Sequence, residues 1–227
     1  MSEKEKYAKE LYELRKAKGM TEEQANQLVL EPVYYGMMMV KLEEADGLVS
    51  GAAHSTSDTL RPALQILKTA PGTKLVSAFF VMVVPNCEYG ANGTFIFADS
   101  GLNEEPDAEK LSEIAISSSK SFEQLVGEEP KVAMLSYSTY GSAHSASTEK
   151  VIDILNNEEK RGIILKKGND KMSFIDQIKQ RAKKEIKTIV LPEATDLRIL
   201  KATQIVNTEG YAKIILVGNE EKVKIGR

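Results

Sequence analysis

An α/β fold with a largely parallel core is what this sequence predicts, and three observations predict it. Short Val- and Ile-rich runs (KLVSAFFVMVV, KVAML, KTIVL, KIILV) alternate with stretches of helical periodicity. Several of those apolar runs are continuous rather than alternating, as in strands covered on both faces. Polar loops rich in Ser, Thr and Gly follow the runs, where α/β sheets place their ligand loops.

Taken in order, residues 2–18 place Tyr7, Leu11, Tyr12 and Leu14 at near-helical spacing among Glu and Lys. Gly19 stops that helix, and Thr21 followed by Glu22 and Glu23 caps the next, which ends before Pro32. The Met-rich stretch Tyr34 to Val40 reads as a core-filling helix leading to Asp46-Gly47 and a short strand at Leu48–Val49. Thr56 or Ser57 caps a helix running to about Leu67, closed by Pro71-Gly72. Lys74 to Val84 reads as a strand buried on both faces, and Gly93 to Ala98 as another. A capped helix from Asp107 to about Val126 follows, then a strand at Lys131 to Leu135, a polar loop from Ser136 to Ser145 and a helix from Thr148 to Asn156. Beyond the turn-forming segment 166–171, Met172 opens a helix–strand–helix–strand series that looks like the start of a protein placed inside this one.

Composition narrows the function. The 227 residues are 42% apolar and 28% charged, the balance of a soluble globular protein. A net charge of -3 leaves no basic surplus for a nucleic-acid backbone. No apolar run approaches the roughly 20 residues that cross a bilayer, and the charged N-terminus lacks the core of a signal peptide. A lone cysteine, Cys87, excludes an internal disulfide and suits a reducing, cytoplasmic setting. Neither G-x-x-x-x-G-K-[ST] nor G-x-G-x-x-G occurs, and His54 and His144 lack neighbours at metal-ligand spacing, so no metal is expected.

The loop His54 to Pro62 enters a helix carrying Ser55, Thr56, Ser57 and Arg61. Backbone N–H groups at a helix start bind anions, and a guanidinium fork suits two oxygens of a phosphate. The alternative is that the hydroxyls only cap and Arg61 pairs with Asp58. The loop holding Ser136, Ser138, Thr139 and Gly141 lets a phosphate or a pantetheine chain approach the backbone, or is a plain serine-rich turn. Cys87 beside Glu88 reads as a spectator thiol, since an acidic neighbour raises its pKa. Lys179 to Lys187 reads as a solvated face, and Glu193 and Arg198 as a local ion pair.

The strings YYGMMMVKLEEADGLVSGAAHSTSDTLRPALQILKT, SAFFVMVVPNCEYGANGTFIFADSGLNEEPDAEKLSEIA, KVAMLSYSTYGSA and MSFIDQIKQRA…KTIVLPEATDLRILKA…GYAKIILVG resemble the phosphate acetyltransferase (phosphotransacetylase) family. The resemblance implies a fold of two three-layer α/β/α domains, like isocitrate and isopropylmalate dehydrogenases, with a cleft between them and usually a dimer. It implies acetyl transfer between acetyl-CoA and inorganic phosphate, with coenzyme A, acetyl phosphate and phosphate as partners and no bound cofactor. By motif match Arg15 (in YELRKAKG) and Arg61 (in TLRPA) sit where the family contacts its substrates. Cys87 matches a cysteine near the site that is not the nucleophile, and SYSTYGS matches a loop lining the cleft.

Two departures accompany the match. The MSFIDQ segment, first in the family, here follows the YELRKAKG segment. The family's C-terminal portion, with its essential arginine, a serine and the candidate base, is absent, so the catalytic residues are unknown. The expected division is 1–72 and 172–227 in a first α/β domain, 73–160 in a second, and 161–171 as linker. The fold is then incomplete, and a catalytically inactive fragment that binds coenzyme A or needs a complementary chain is the alternative to an active enzyme.

Overall fold

A computed structural model describes residues 2–136, 144–156 and 174–218. Two compact units divide the chain, one built from 1–68 with 179–227 and the other from 69–178.

The first unit is a parallel sheet with helices packed on it. Helix α1 (Glu3–Arg15) begins at a capping box in which Ser2 and Glu5 satisfy each other's backbone N–H. A 3-10 turn (Lys16–Lys18) and Gly19 end it in the left-handed conformation, as the sequence predicts. Thr21 and Gln24 form a second capping box for α2 (Glu22–Leu28), and Pro32 is the first residue of α3 (Pro32–Lys41). Strands β1 (Gly47–Leu48), β4 (Lys187–Leu191) and β5 (Ala212–Leu216) form a parallel sheet in the order β1-β4-β5. Gly36 lets α3 lie on that sheet, because a Cβ there would sit 2.6 Å from Leu48 and 2.9 Å from Val190.

Tyr7, Leu11, Ala25, Val29, Val33, Met37, Met38 and Ile66 make the helical core, so the Met cluster fills it as expected. Within it Tyr7 meets Tyr35 edge-on at 4.7 Å. The buried Tyr7 hydroxyl donates to Glu44, which also pairs with Lys6. Helix α4 (Thr56–Ile66) closes this core through Pro62 and Ile66. Its cap is Ser55 rather than the expected Thr56 or Ser57; the Ser55 hydroxyl accepts from the Asp58 N–H.

The second unit differs from expectation in two places. The run at 74–84 yields only β2 (Phe79–Val83), and it pairs antiparallel with β3 (Thr94–Ala98). The intervening residues 84–93 are too few for the crossover a parallel pair requires. Gly93 supplies the tight return at φ +82°, where a Cβ would lie 2.1 Å from the Val84 carbonyl oxygen. Nor is β2 buried on both faces. Val81 packs toward Ala91, Phe122, Leu125 and Val126, whereas Phe80 on the opposite face is 63% exposed and pairs across the strands with Phe97, 57% exposed.

The predicted strand at Lys131 to Leu135 does not form; those residues pair with no strand among the described residues, and Leu135 is 87% exposed. Strand-forming residues without a neighbouring ladder have no sheet to join. Helix α5 (Ala108–Val126), capped by Asp107, and α6 (Ala146–Asn156) complete this unit. Helix α7 (Phe174–Lys184) precedes β4, and α8 (Leu197–Glu209) joins β4 to β5. No helix among the described residues is long and apolar enough to cross a membrane.

Candidate functional site

The loop ahead of α4 was expected to offer free backbone N–H groups to an anion, and its donors are instead already used. Glu193, in the turn after β4, inserts its carboxylate there with its side chain 1% exposed. Its Oε1 accepts from Ala53 N–H (2.7 Å), His54 N–H (2.9 Å) and His54 Nδ1 (2.8 Å). Its Oε2 accepts from Ala52 N–H (2.9 Å), and Gly51 N–H is shared between both oxygens at 3.2 Å. Burial alone would raise this carboxyl's pKa. The Ala53 N–H, the His54 ring and the Ala52 and Gly51 N–H groups overcome that and hold it at about 2. Against a carboxylate the His54 Nδ1 carries the proton. Glu193 therefore forms no ion pair with Arg198. Arg198 pairs with Asp196 at 2.6 Å and donates to the Ala52 carbonyl at 2.6 Å, clasping the same loop from its acceptor side.

What remains for a ligand lies one step further along the chain. The N–H groups of Thr56 and Ser57, in the first turn of α4, have no acceptor among the described residues. Ser55 Oγ donates to Asp58 at 2.6 Å and lies 2.9 Å from Ser57 Oγ, so the capping role of these hydroxyls is real. Arg61, exposed on α4, makes no ion pair with Asp58 and has no hydrogen-bonding partner among the described residues.

Arg15, half-buried at the end of α1, shows the complementary anomaly: its Nε is buried and bonded to nothing among the described residues. Both guanidinium groups bear on Tyr34 of α3. Burial raises the Tyr34 phenol's pKa while the charges of Arg61 and then Arg15 oppose the rise. The Tyr34 hydroxyl donates to Gln65 Oε1 at 2.9 Å, tying α3 to the last turn of α4. The charges of Arg61 and Arg15 thus both reach Tyr34, and that of Arg61 also helps the Ser55 hydroxyl to lower the pKa of the Asp58 carboxyl, although no ion pair joins Arg61 and Asp58 among the described residues.

A family model described as phosphate acetyl/butaryl transferase matches residues 1–165 and 173–227. The chain belongs to that family. Members similar to it include a phosphate acetyltransferase of Acetivibrio thermocellus, 73% identical over 148 residues, which are 65% of this chain and 45% of the relative. Another, of Thermoanaerobacterium thermosaccharolyticum, is 57% identical over 147 residues, again 65% of this chain and 45% of the relative. Among solved structures, the EutD phosphotransacetylase from Staphylococcus aureus is 31% identical with a TM-score of 0.56, covering 97% of this chain and 73% of that one. A phosphotransacetylase from Streptococcus pyogenes is 30% identical with a TM-score of 0.59, covering 98% and 73%. These matches fix a mixed α/β fold of the phosphotransacetylase kind. The chain spans less than half the length of the curated relatives it matches.

Of the other predicted positions, Ser136 is described and exposed, whereas Ser138, Thr139 and Gly141 lie outside the described residues, as does the linker 161–171. Cys87 is partly buried in the turn after β2, with its Sγ 3.9 Å from the Tyr89 carbonyl oxygen. His144 is exposed. No group of three or more His, Cys, Asp or Glu side chains is placed to hold a metal among the described residues. Glu193 is the residue that sequence reasoning misplaced and Tyr34 the one it missed. The signal for the first was present: GAAH and PEAT each follow a strand, and loops at the carboxyl ends of adjacent parallel strands lie side by side.

Proposed function

We propose that this chain carries the phosphate- and coenzyme A-binding part of a phosphate acetyltransferase, which interconverts acetyl-CoA plus inorganic phosphate with acetyl phosphate plus coenzyme A. The observation that carries the reading is the buried, unbonded Nε of Arg15 together with an exposed Arg61 that makes no hydrogen bond or ion pair among the described residues, the two arginines that the motif resemblance implies as substrate contacts. In the direction of acetyl-CoA synthesis a base takes the thiol proton and the sulfur bonds to the acetyl carbonyl carbon. The bond from that carbon to the phosphate oxygen then breaks, and phosphate leaves with the electron pair. Arg15 and Arg61 bind the departing dianion, and the Thr56 and Ser57 N–H groups add dipoles of the same sign. The resemblance assigns coenzyme A contacts to Ser55 and Thr56 and, separately, to Ser136, Ser138, Thr139 and Gly141, with Cys87 as a bystander thiol.

In this reading residues 1–72 and 172–227 form the first α/β domain and 73–160 the second, in a cytoplasmic homodimer or beside a complementary chain. The alternative form of the reading is a fragment that binds coenzyme A and turns over only with a complementary chain.

Acetyl-CoA formation from acetyl phosphate and coenzyme A, measured for the purified chain beside Arg61→Ala, tests both. Turnover that falls by two or more orders of magnitude in Arg61→Ala supports the enzyme. Coenzyme A binding without turnover, abolished in Arg61→Ala, supports the partner-dependent fragment. A folded chain that neither binds nor turns over overturns the proposal.

A further inference from the structure

From the clasp around residues 51–54 we infer that Glu193 is a positioning residue for the anion site, acting on the start of α4 and through it on Arg61. The inference rests on the functional reading above, since it assigns Glu193 to that same site.

The path is short and continuous. One carboxylate receives four consecutive backbone N–H groups and an imidazole N–H, so residues 51–54 are held to a single curvature. Ser55, the next residue, caps α4, and Thr59 one turn later donates to Ser50 Oγ at 3.4 Å. Arg61 follows less than two turns from the cap. The far end of the same helix is held by the Tyr34–Gln65 hydrogen bond. Helix α4 is therefore held at both ends, at one by the clasp around Glu193 and at the other by the Tyr34 phenol.

Burying a carboxylate is costly unless its oxygens are bonded. A plain cap would need one donor or two, whereas Glu193 takes five in addition to anchoring the turn after β4. Four converging N–H groups form a cradle with affinity for any anion. Filling it with an internal carboxylate keeps external phosphate out of the cradle and leaves the Thr56 and Ser57 N–H groups and Arg61 as the place for it. Arg198 works to the same end by holding the Ala52 carbonyl.

Glu193→Gln in the full chain, with coenzyme A affinity read by calorimetry and amide exchange at 51–54 read by NMR, tests this. The expected result is loss of protection at 51–54 with retained protection in β4, together with coenzyme A binding weakened on the order of tenfold. Arg61→Ala should show the reverse pattern, with binding lost and protection at 51–54 intact. Protection that survives in Glu193→Gln, or affinity that stays within twofold after protection is lost, overturns the inference. If Glu193→Gln does not fold, His54→Ala removes one donor to the same carboxylate and is read the same way, with an expected weakening of about threefold. Wild-type chain that binds no coenzyme A overturns the functional reading, and with it the assignment of Glu193 to a ligand site. The wild-type amide pattern then shows separately whether the clasp itself is present.

Discussion

The Glu193 carboxylate and the His54 Nδ1 meet at 2.8 Å across 139 residues of sequence, joining the loops that follow β4 and β1. Those strands are parallel neighbours, with Leu48 beside Val190, so the two loops emerge together at one end of the sheet. The same carboxylate fixes the path of the chain into α4 and is itself held ionised by the N–H groups it orders.

This bonding makes stability depend on pH. The folded pKa of Glu193 is about 2 against an ordinary 4.5, so the group contributes stability that is full above pH 4.5 and is lost as pH falls through 2. Taken over the whole shift the contribution is about 3 kcal/mol. Urea denaturation of wild type and Glu193→Gln should differ by roughly that amount at pH 6 and by less than half of it at pH 3. A gap that does not narrow between the two would show that the lost stability has another source.

How much of this was legible beforehand varies by residue. The cap at Thr21, the stop at Gly19 and the core role of Met37 and Met38 follow from local spacing, and the structure has them; the capping box at Ser2 was not read beforehand. The hydroxyl-rich helix start bearing Arg61 was equally legible, because capping chemistry and anion chemistry use the same residues. Glu193 was assigned to Arg198 because only near neighbours are visible along a chain; its partners are set by strand order. The strand at 131–135 failed for a related reason. Its residues have the right propensity, but a strand exists only with a ladder beside it.

Arg61→Ala should leave stability within about 0.5 kcal/mol of wild type, since the side chain is exposed and bonds to nothing among the described residues. The cost should fall on coenzyme A and phosphate binding instead. Thermal melts with and without millimolar phosphate check this: phosphate should raise the wild-type midpoint and not the variant's. Equal shifts in both proteins would place the anion elsewhere.

The return between β2 and β3 depends on Gly93. Its φ of +82° is costly for a side chain, and a Cβ would press on the Val84 carbonyl oxygen at 2.1 Å. Gly93→Ala should destabilise the second unit by about 2 kcal/mol or more. Gly101→Ala, at φ +94° but with nothing within 4 Å of the added methyl, isolates the backbone contribution. If the two variants melt alike, the close approach at Val84 contributes nothing.

The outer face of β2 and β3 carries the cross-strand pair Phe80 and Phe97 with Met82 beside them, all exposed. Contiguous apolar surface of this kind binds hydrophobic dyes and drives association. The double variant Phe80→Thr with Phe97→Thr keeps β-branched residues on the strands and removes the rings. It should lower fluorescence of a naphthalene sulfonate dye several-fold and reduce concentration-dependent light scattering, while far-UV circular dichroism stays unchanged. The inner face, where Val81 packs toward Phe122 and Val126, is untouched by these changes, so the hairpin should persist. Dye binding that does not fall would move the dominant apolar surface elsewhere, with the unpaired segment ending at Leu135 the next to be tested by Leu135→Ser.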